Sequence, residues 1–178
     1  PEAPGAKRVA VELELLGAEV SLVACDVADR VALRGIIEAI PAAHPLTAVF
    51  HTAGVLDDGV IASITPERIA NVFWAKVDAA LALHEATKDL DLAAFVLFSS
   101  IVGVMGNAGQ ATYAAANAFL DALAQHRHAL GLPAQALAWG PWGGEGMAAR
   151  LSDTDRSRMR KRGLIPLSPI EGLALLDV

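Results

Sequence analysis

Apolar positions recur every three or four residues over some stretches of this chain and cluster into short unbroken runs over others. That alternation builds a layered α/β domain around a parallel sheet. Ala6 to Leu16 has helical spacing and is closed by Gly17, a residue suited to a left-handed cap, after which Glu19 to Ala24 reads as a strand. Asp29 opens a second helix reaching about Ile40. Pro41 and Pro45 then bracket a turn before Leu46 to Phe50, short and unalternating as a strand covered on both faces should be. Thr65-Pro66-Glu67 is a helix start, and the helix continues through Val72, Val77 and Leu83 to about Lys88. Ala94 to Ser100 is another buried strand. A loop punctuated by Gly103, Gly106 and Gly109 leads into an alanine-rich helix from about Gln110 to Leu130, which Gly131 and Pro133 end before the strand Ala134 to Trp139. Beyond Gly140 the regularity weakens. Gly143, Gly144 and Gly146 precede a charged stretch from Arg150 to Arg162, expected to be a mobile flap or solvated helix rather than core. Ile170, Leu173, Ala174, Leu175 and Leu176 resume a helical pattern without a closing cap.

The 178 residues suit one domain, and 54% apolar against 19% charged residues can supply a packed core. A formal charge of -6, from 14 basic and 20 acidic residues, leaves no electrostatic footprint for a phosphate backbone, so nucleic acid is not expected as a partner. No apolar run reaches the roughly 18 residues of a membrane span. The single cysteine, Cys25, excludes an internal disulfide framework and a multi-cysteine zinc site, and a reducing cytoplasmic setting is the default. His126 and His128 stand two apart on a helix and face different sides, so no metal site is expected. The chain starts at Pro1 without an initiator Met or signal peptide and reads as a piece of a longer polypeptide.

The sole tyrosine, Tyr113, lies near the start of the alanine-rich helix among small neighbours, with Asn117 four residues on and therefore on the same face. The preceding strand ends in Ser99 and Ser100 at the carboxyl edge of the sheet, where open α/β sheets bind ligands. With Lys76 from the earlier helix, a phenol, a hydroxyl, an amide and an ammonium can converge on one crevice. For a lone tyrosine, packing with a wet hydroxyl is the alternative.

Several segments together resemble the short-chain dehydrogenases/reductases, and within them the ketoreductase domains of type I modular polyketide synthases. They are Ala24-Cys25-Asp26-Val27, His51-Thr52-Ala53-Gly54-Val55-Leu56-Asp57-Asp58, Lys76-Val77-Asp78-Ala79, Phe98-Ser99-Ser100, QATYAAAN from Gln110 to Asn117, and Trp139-Gly140-Pro141-Trp142. Lys76 precedes Ser100 by 24 residues and Ser100 precedes Tyr113 by 13, matching the family's catalytic arrangement. Asn117 stands where commoner short-chain reductases carry lysine, an exchange typical of the polyketide branch.

The resemblance implies a Rossmann-like doubly wound parallel sheet, truncated at its N-terminus, with residues 1–178 forming a partial ketoreductase domain and 143–165 a lid. It implies NADPH-dependent reduction of a β-ketoacyl thioester held by phosphopantetheine on an acyl carrier protein, alongside other synthase domains. Tyr113 is the implied proton donor, made more acidic by Lys76; Ser100 holds the ketone oxygen, and Asn117 positions Lys76 or an ordered water. Asp26 and the Val27 backbone are the implied adenine contacts, and Thr52-Ala53-Gly54 passes the ribose, with Lys76 and Tyr113 at the nicotinamide end. No glycine-rich pyrophosphate turn precedes Glu19, so the chain alone is expected neither to fold stably nor to reduce substrate. Leu56-Asp57-Asp58 resembles the motif of B-type ketoreductases, which form the (3R)-hydroxyl. Met105 occupies the place of the A-type tryptophan, and Ala115 that of the proline of epimerising types, which points to B1. Gln110, Trp139 and Met147 complete the implied substrate side. The rival readings are a stand-alone short-chain dehydrogenase and a redox-inactive structural ketoreductase domain.

Overall fold

The computed structural model describes residues 3, 5–144, 153–161 and 163–176. Three strands, β1 (Ala48–His51), β2 (Ala94–Ser100) and β3 (Gln135–Trp139), lie side by side in that order, all parallel. Val49 pairs with Phe95 and Ser100 with Trp139, so both seryl residues of β2 end level with the tip of β3. β2 is the middle strand, and Phe95, Val96 and Leu97 are buried in succession, as a strand covered on both faces requires.

The helices follow the capping chemistry of the sequence. α1 (Ala6–Leu15) ends before Gly17, whose φ of 88° is the left-handed conformation that glycine tolerates. α2 (Arg30–Glu38) is capped by Asp29, whose carboxylate accepts from the Val31 and Ala32 amides at 3.0 and 3.1 Å. The helix expected from Thr65 to Lys88 is continuous but not uniform. α3 (Pro66–Phe73) widens into one π turn, Trp74–Asp78, before α4 (Ala79–Thr87). Single π turns are frequent at functional sites, and this one contains Lys76. After β2 comes α5 (Ile101–Met105), a short helix inside the expected glycine loop, packed against α6 (Ala111–Ala129). A Cβ on Gly103 would meet the Ala118 nitrogen at 3.1 Å and Asn117 Cβ at 3.2 Å, so a larger residue here would press on the α6 backbone.

Strands advancing one place at a time through right-handed crossovers put their connecting helices on one face. Accordingly α3, the π turn and α6 pack on one another, while α2 packs against α4. Leu33, Val49, Leu83, Phe95, Leu97, Leu120 and Leu123 form the shared core.

One expectation is corrected. Glu19 to Ala24 is not a strand: it pairs with none of the three, and Leu22 and Val23 are 41% and 59% exposed. A β segment exists through its neighbour's hydrogen bonds, so an apolar run without a partner stays irregular. In the charged stretch the helix alternative is the one seen, as α7 (Asp153–Lys161), and α8 (Pro169–Leu176) follows. Ser168 and Glu171 form a reciprocal capping box at the start of α8, so the helix whose apolar pattern shows only an open C-terminal end is anchored at its beginning.

Candidate active site

The C-terminal ends of β1 and β2 and the first turns of α5 and α6 surround a cleft of about 440 Å³. Ser100, Tyr113 and Lys76 all line it. A helix cap fixes the position of Ser100, whose Oγ accepts from the Val102 amide at 3.3 Å at the start of α5. Tyr113 is the third residue of α6, where the alanines around it leave the phenol reachable. Its pKa is raised, chiefly because burial disfavours the phenolate; hydrogen bonds from the Asn117 and Ser100 side chains pull it down, and the Asp58 charge adds to the rise.

Lys76 is only 2% exposed. Its ammonium donates to the Phe98 carbonyl at 2.8 Å and lies 5.4 Å from the centre of the Tyr113 ring. Burial lowers its pKa from 10.5 to about 8, with Asp121 opposing. Beside it, at the end of β1, His51 is buried and held at about 4, by burial first and then by the Lys76 charge. His51 is therefore neutral at physiological pH, and its Nε2 has no protein partner.

For the phenol the net direction is upward, burial outweighing the favourable contacts. Asn117 makes no direct bond to Lys76, which leaves the ordered-water alternative for its role. Its amide nitrogen turns back to the Tyr113 carbonyl at 2.7 Å, the neighbour one helical turn away, while its Oδ1 is a buried acceptor with no protein partner.

Of the residues assigned to a cofactor, Thr52, Lys76 and Tyr113 line the cleft, whereas Asp26, Val27, Ala53 and Gly54 do not. Asp26 is exposed, and its two oxygens accept from the Ala28 amide at 3.0 Å and from the Trp74 indole at 2.7 Å. Val27 packs its side chain on the core. Thr52 lines the cleft, followed by exposed Ala53 and half-buried Gly54. Trp74 carries no signal along the chain, because its place beside Asp26, 48 residues earlier, depends on the π turn.

On the opposite wall Leu56 and Asp58 line the cleft, whereas Asp57 turns away to an ion pair with Arg68 at 2.7 Å. Gln110 donates to Asp58 at 2.8 Å and accepts from Asn107 at 2.8 Å. Met105 and Trp139 also face the cleft, and Trp139 lies tilted against Phe98 and edge-on to Trp142. Met159 of α7 and Leu164 close part of the cleft's edge. Met147 and most of the segment joining β3 to α7 lie outside the described residues. Arg127, equally silent in the sequence, is a buried structural cation: it contacts His84 Nδ1 at 3.1 Å, donates to the Pro133 carbonyl at 3.1 Å and covers the Phe95 ring.

A phenol, a hydroxyl and an ammonium facing one cleft can polarise and protonate an oxygen that gains negative charge. The family model of the KR domain matches residues 1–144. The chain belongs to the KR domain family. It is 58% identical over 178 residues to polyketide synthase GfsB of Streptomyces halstedii, covering 99% of this chain and 3% of that protein. Mycoketide-CoA synthase of Mycobacterium tuberculosis is 53% identical over 99% of this chain and 4% of its own length. Among solved structures, an A1-type ketoreductase has 48% identity and a TM-score of 0.93, covering 99% of this chain and 37% of that one. The first ketoreductase of the tylosin synthase has 53% identity and a TM-score of 0.85, covering 97% of this chain and 38% of that one. The chain thus spans a little over a third of these solved ketoreductases and a few per cent of the curated synthases. The α/β fold with its parallel sheet matches theirs. Among the described residues no helix is long and apolar enough to cross a membrane.

Proposed function

We propose that this ketoreductase chain takes part in the NADPH-dependent reduction of a β-ketoacyl thioester to the (3R)-hydroxyacyl thioester during polyketide assembly. The substrate would be carried by phosphopantetheine on an acyl carrier protein. The observation that carries the reading is the Tyr113 phenol facing one cleft with Ser100 and the buried Lys76 ammonium.

The residues present suit part of a nicotinamide cofactor. Asp26 is an exposed carboxylate, and Thr52, Lys76 and Tyr113 all open into the cleft. Asp26 and the Val27 backbone would hold the adenine, Thr52-Ala53-Gly54 the ribose, and Lys76 and Tyr113 the nicotinamide end. When bound, the reduced cofactor supplies hydride. The chain's own residues manage the charge that results. Ser100 donates to the ketone oxygen, a preorganised bond worth about 2 to 4 kcal/mol in comparable sites. Tyr113 passes its phenolic proton to the same oxygen. Lys76, with a pKa of about 8, is largely protonated at neutral pH yet close enough to titration to return a proton to this side of the cleft.

A redox-silent scaffold is the second reading. The depressed pKa of Lys76 weighs against it, because burying an ammonium costs stability and returns nothing to a purely structural domain. The Leu56-Asp57-Asp58 loop and Met105 support the B1 assignment; the backbone likeness to an A1-type structure does not bear on it, since the assignment rests on side chains. The test follows NADPH consumption by the complete ketoreductase with a β-ketoacyl thioester, together with chiral analysis of the product. Tyr113→Phe is expected to lose about 10²- to 10⁴-fold in kcat. Undiminished turnover in that variant refutes the proton-donor role, and a (3S) product refutes the B-type assignment.

A further inference from the structure

Arg68 lies outside the cleft, yet its side chain grips the 57–63 segment at three points. Its Nε donates to Asp57 Oδ1 at 2.7 Å, one terminal nitrogen to the Asp58 carbonyl at 2.6 Å, and the other to the Ser63 carbonyl at 3.0 Å. The planar fork thus joins a carboxylate and two backbone carbonyls that no monodentate ammonium could span together. Gly59 makes room for it: a Cβ there would stand 2.8 and 2.9 Å from the two terminal nitrogens. Asn71 adds a second, longer donor to Asp57 at 3.4 Å.

The clamped segment is continuous with the cleft wall. The Gly59 amide donates to the Gly109 carbonyl at 2.7 Å, and Asp58 accepts from Gln110, which in turn accepts from Asn107. Asp58, Asn107 and Gln110 all line the cleft, and Gln110 immediately precedes the helix bearing Tyr113. One hydrogen-bonded line therefore runs from Arg68 on α3 along the cleft wall to the start of α6.

We propose that Arg68 is a positioning residue for stereochemical selection: it fixes the wall made by Leu56, Asp58 and Gln110, so that the ketone presents one face to the reducing side. The inference rests on the proposed ketoreduction and deepens it. A β-ketoacyl chain has no charge at its ketone with which to orient itself, so the choice between its faces falls to the shape of the wall. A loop free to shift admits both poses.

The experiment uses the complete ketoreductase, a β-ketoacyl thioester and NADPH, and reads the ratio of (3R) to (3S) product, kcat, KM and Tm. Arg68→Ala is expected to lower the product ratio by about tenfold and to raise KM more than it lowers kcat. Arg68→Lys keeps the charge but loses the fork and should restore only part of the ratio. Gly59→Ala displaces the guanidinium without removing it, so it should reproduce the Arg68→Ala ratio, and the double variant should lose no more than Arg68→Ala alone. Gly59→Ala also decides the matter if Arg68→Ala fails to fold. A wild-type ratio in a folded Arg68→Ala or Gly59→Ala enzyme overturns the inference. A wild-type enzyme that consumes no NADPH refutes the proposed function and this inference with it, whereas normal wild-type turnover with unaltered variants refutes the inference alone.

Discussion

Replacing Lys76 with Met should stabilise the protein at neutral pH while abolishing its activity. Lys76 is 2% exposed, and burial lowers its pKa from the ordinary 10.5 to about 8. At about 1.4 kcal/mol per pH unit, that gap corresponds to about 3 kcal/mol of native-state destabilisation. The sign follows from proton counts. Below pH 8 both the folded and the unfolded chain carry the proton, and the full penalty is present. Between pH 8 and 10.5 the unfolded chain holds a proton that the folded chain has released, so stability rises with pH; above 10.5 the penalty is gone. Met retains most of the aliphatic volume but forfeits the bond to the Phe98 carbonyl, a loss of about 1 to 2 kcal/mol, which leaves a net gain of about 1 to 2 kcal/mol at pH 7. The gain should vanish or reverse near pH 10. Urea denaturation of the complete ketoreductase and its Lys76→Met variant at pH 7 and pH 10 measures both values. A variant less stable at pH 7, or a difference that does not change with pH, refutes the reasoning.

Ser100→Ala removes both the cleft hydroxyl and the α5 cap; kcat should fall by about 10²- to 10³-fold, read from NADPH absorbance, with Tm falling as well. Asp29→Ala deletes two capping bonds to α2 and should cost about 1 kcal/mol in chemical denaturation without changing kcat. Gly172→Ala puts a methyl into the Trp142 ring and should destabilise by about 1 to 3 kcal/mol, with a change in tryptophan fluorescence; an unaltered spectrum and Tm would show that α8 does not pack there.

Much of the architecture is legible along the chain because its causes are local. Asp29, Thr65-Pro66 and Gly17 mark helix ends through bonds or torsions made within a few residues. The unbroken apolar run ending in Ser99 and Ser100 identifies the middle strand residue for residue. The place of Tyr113 in the first turn of α6 follows in the same way, from Gln110 and the alanines around it. The family resemblance, carried by motifs spread from Asp26 to Trp142, agrees with the KR match.

Other features depend on which surfaces meet. Glu19 to Ala24 has the composition of a strand but pairs with no neighbour, and only the sheet could reveal that. The π turn at Lys76, the indole of Trp74 on Asp26 and the turn of Asn117 toward its own helix all depend on packing between segments distant in sequence or on the backbone path. Whether Lys76 lowers the pKa of Tyr113, or burial raises it, depends on the solvent left around both groups. Residue identity determines which charges a cleft can hold; the dielectric set by tertiary packing determines which of them it can keep ionised.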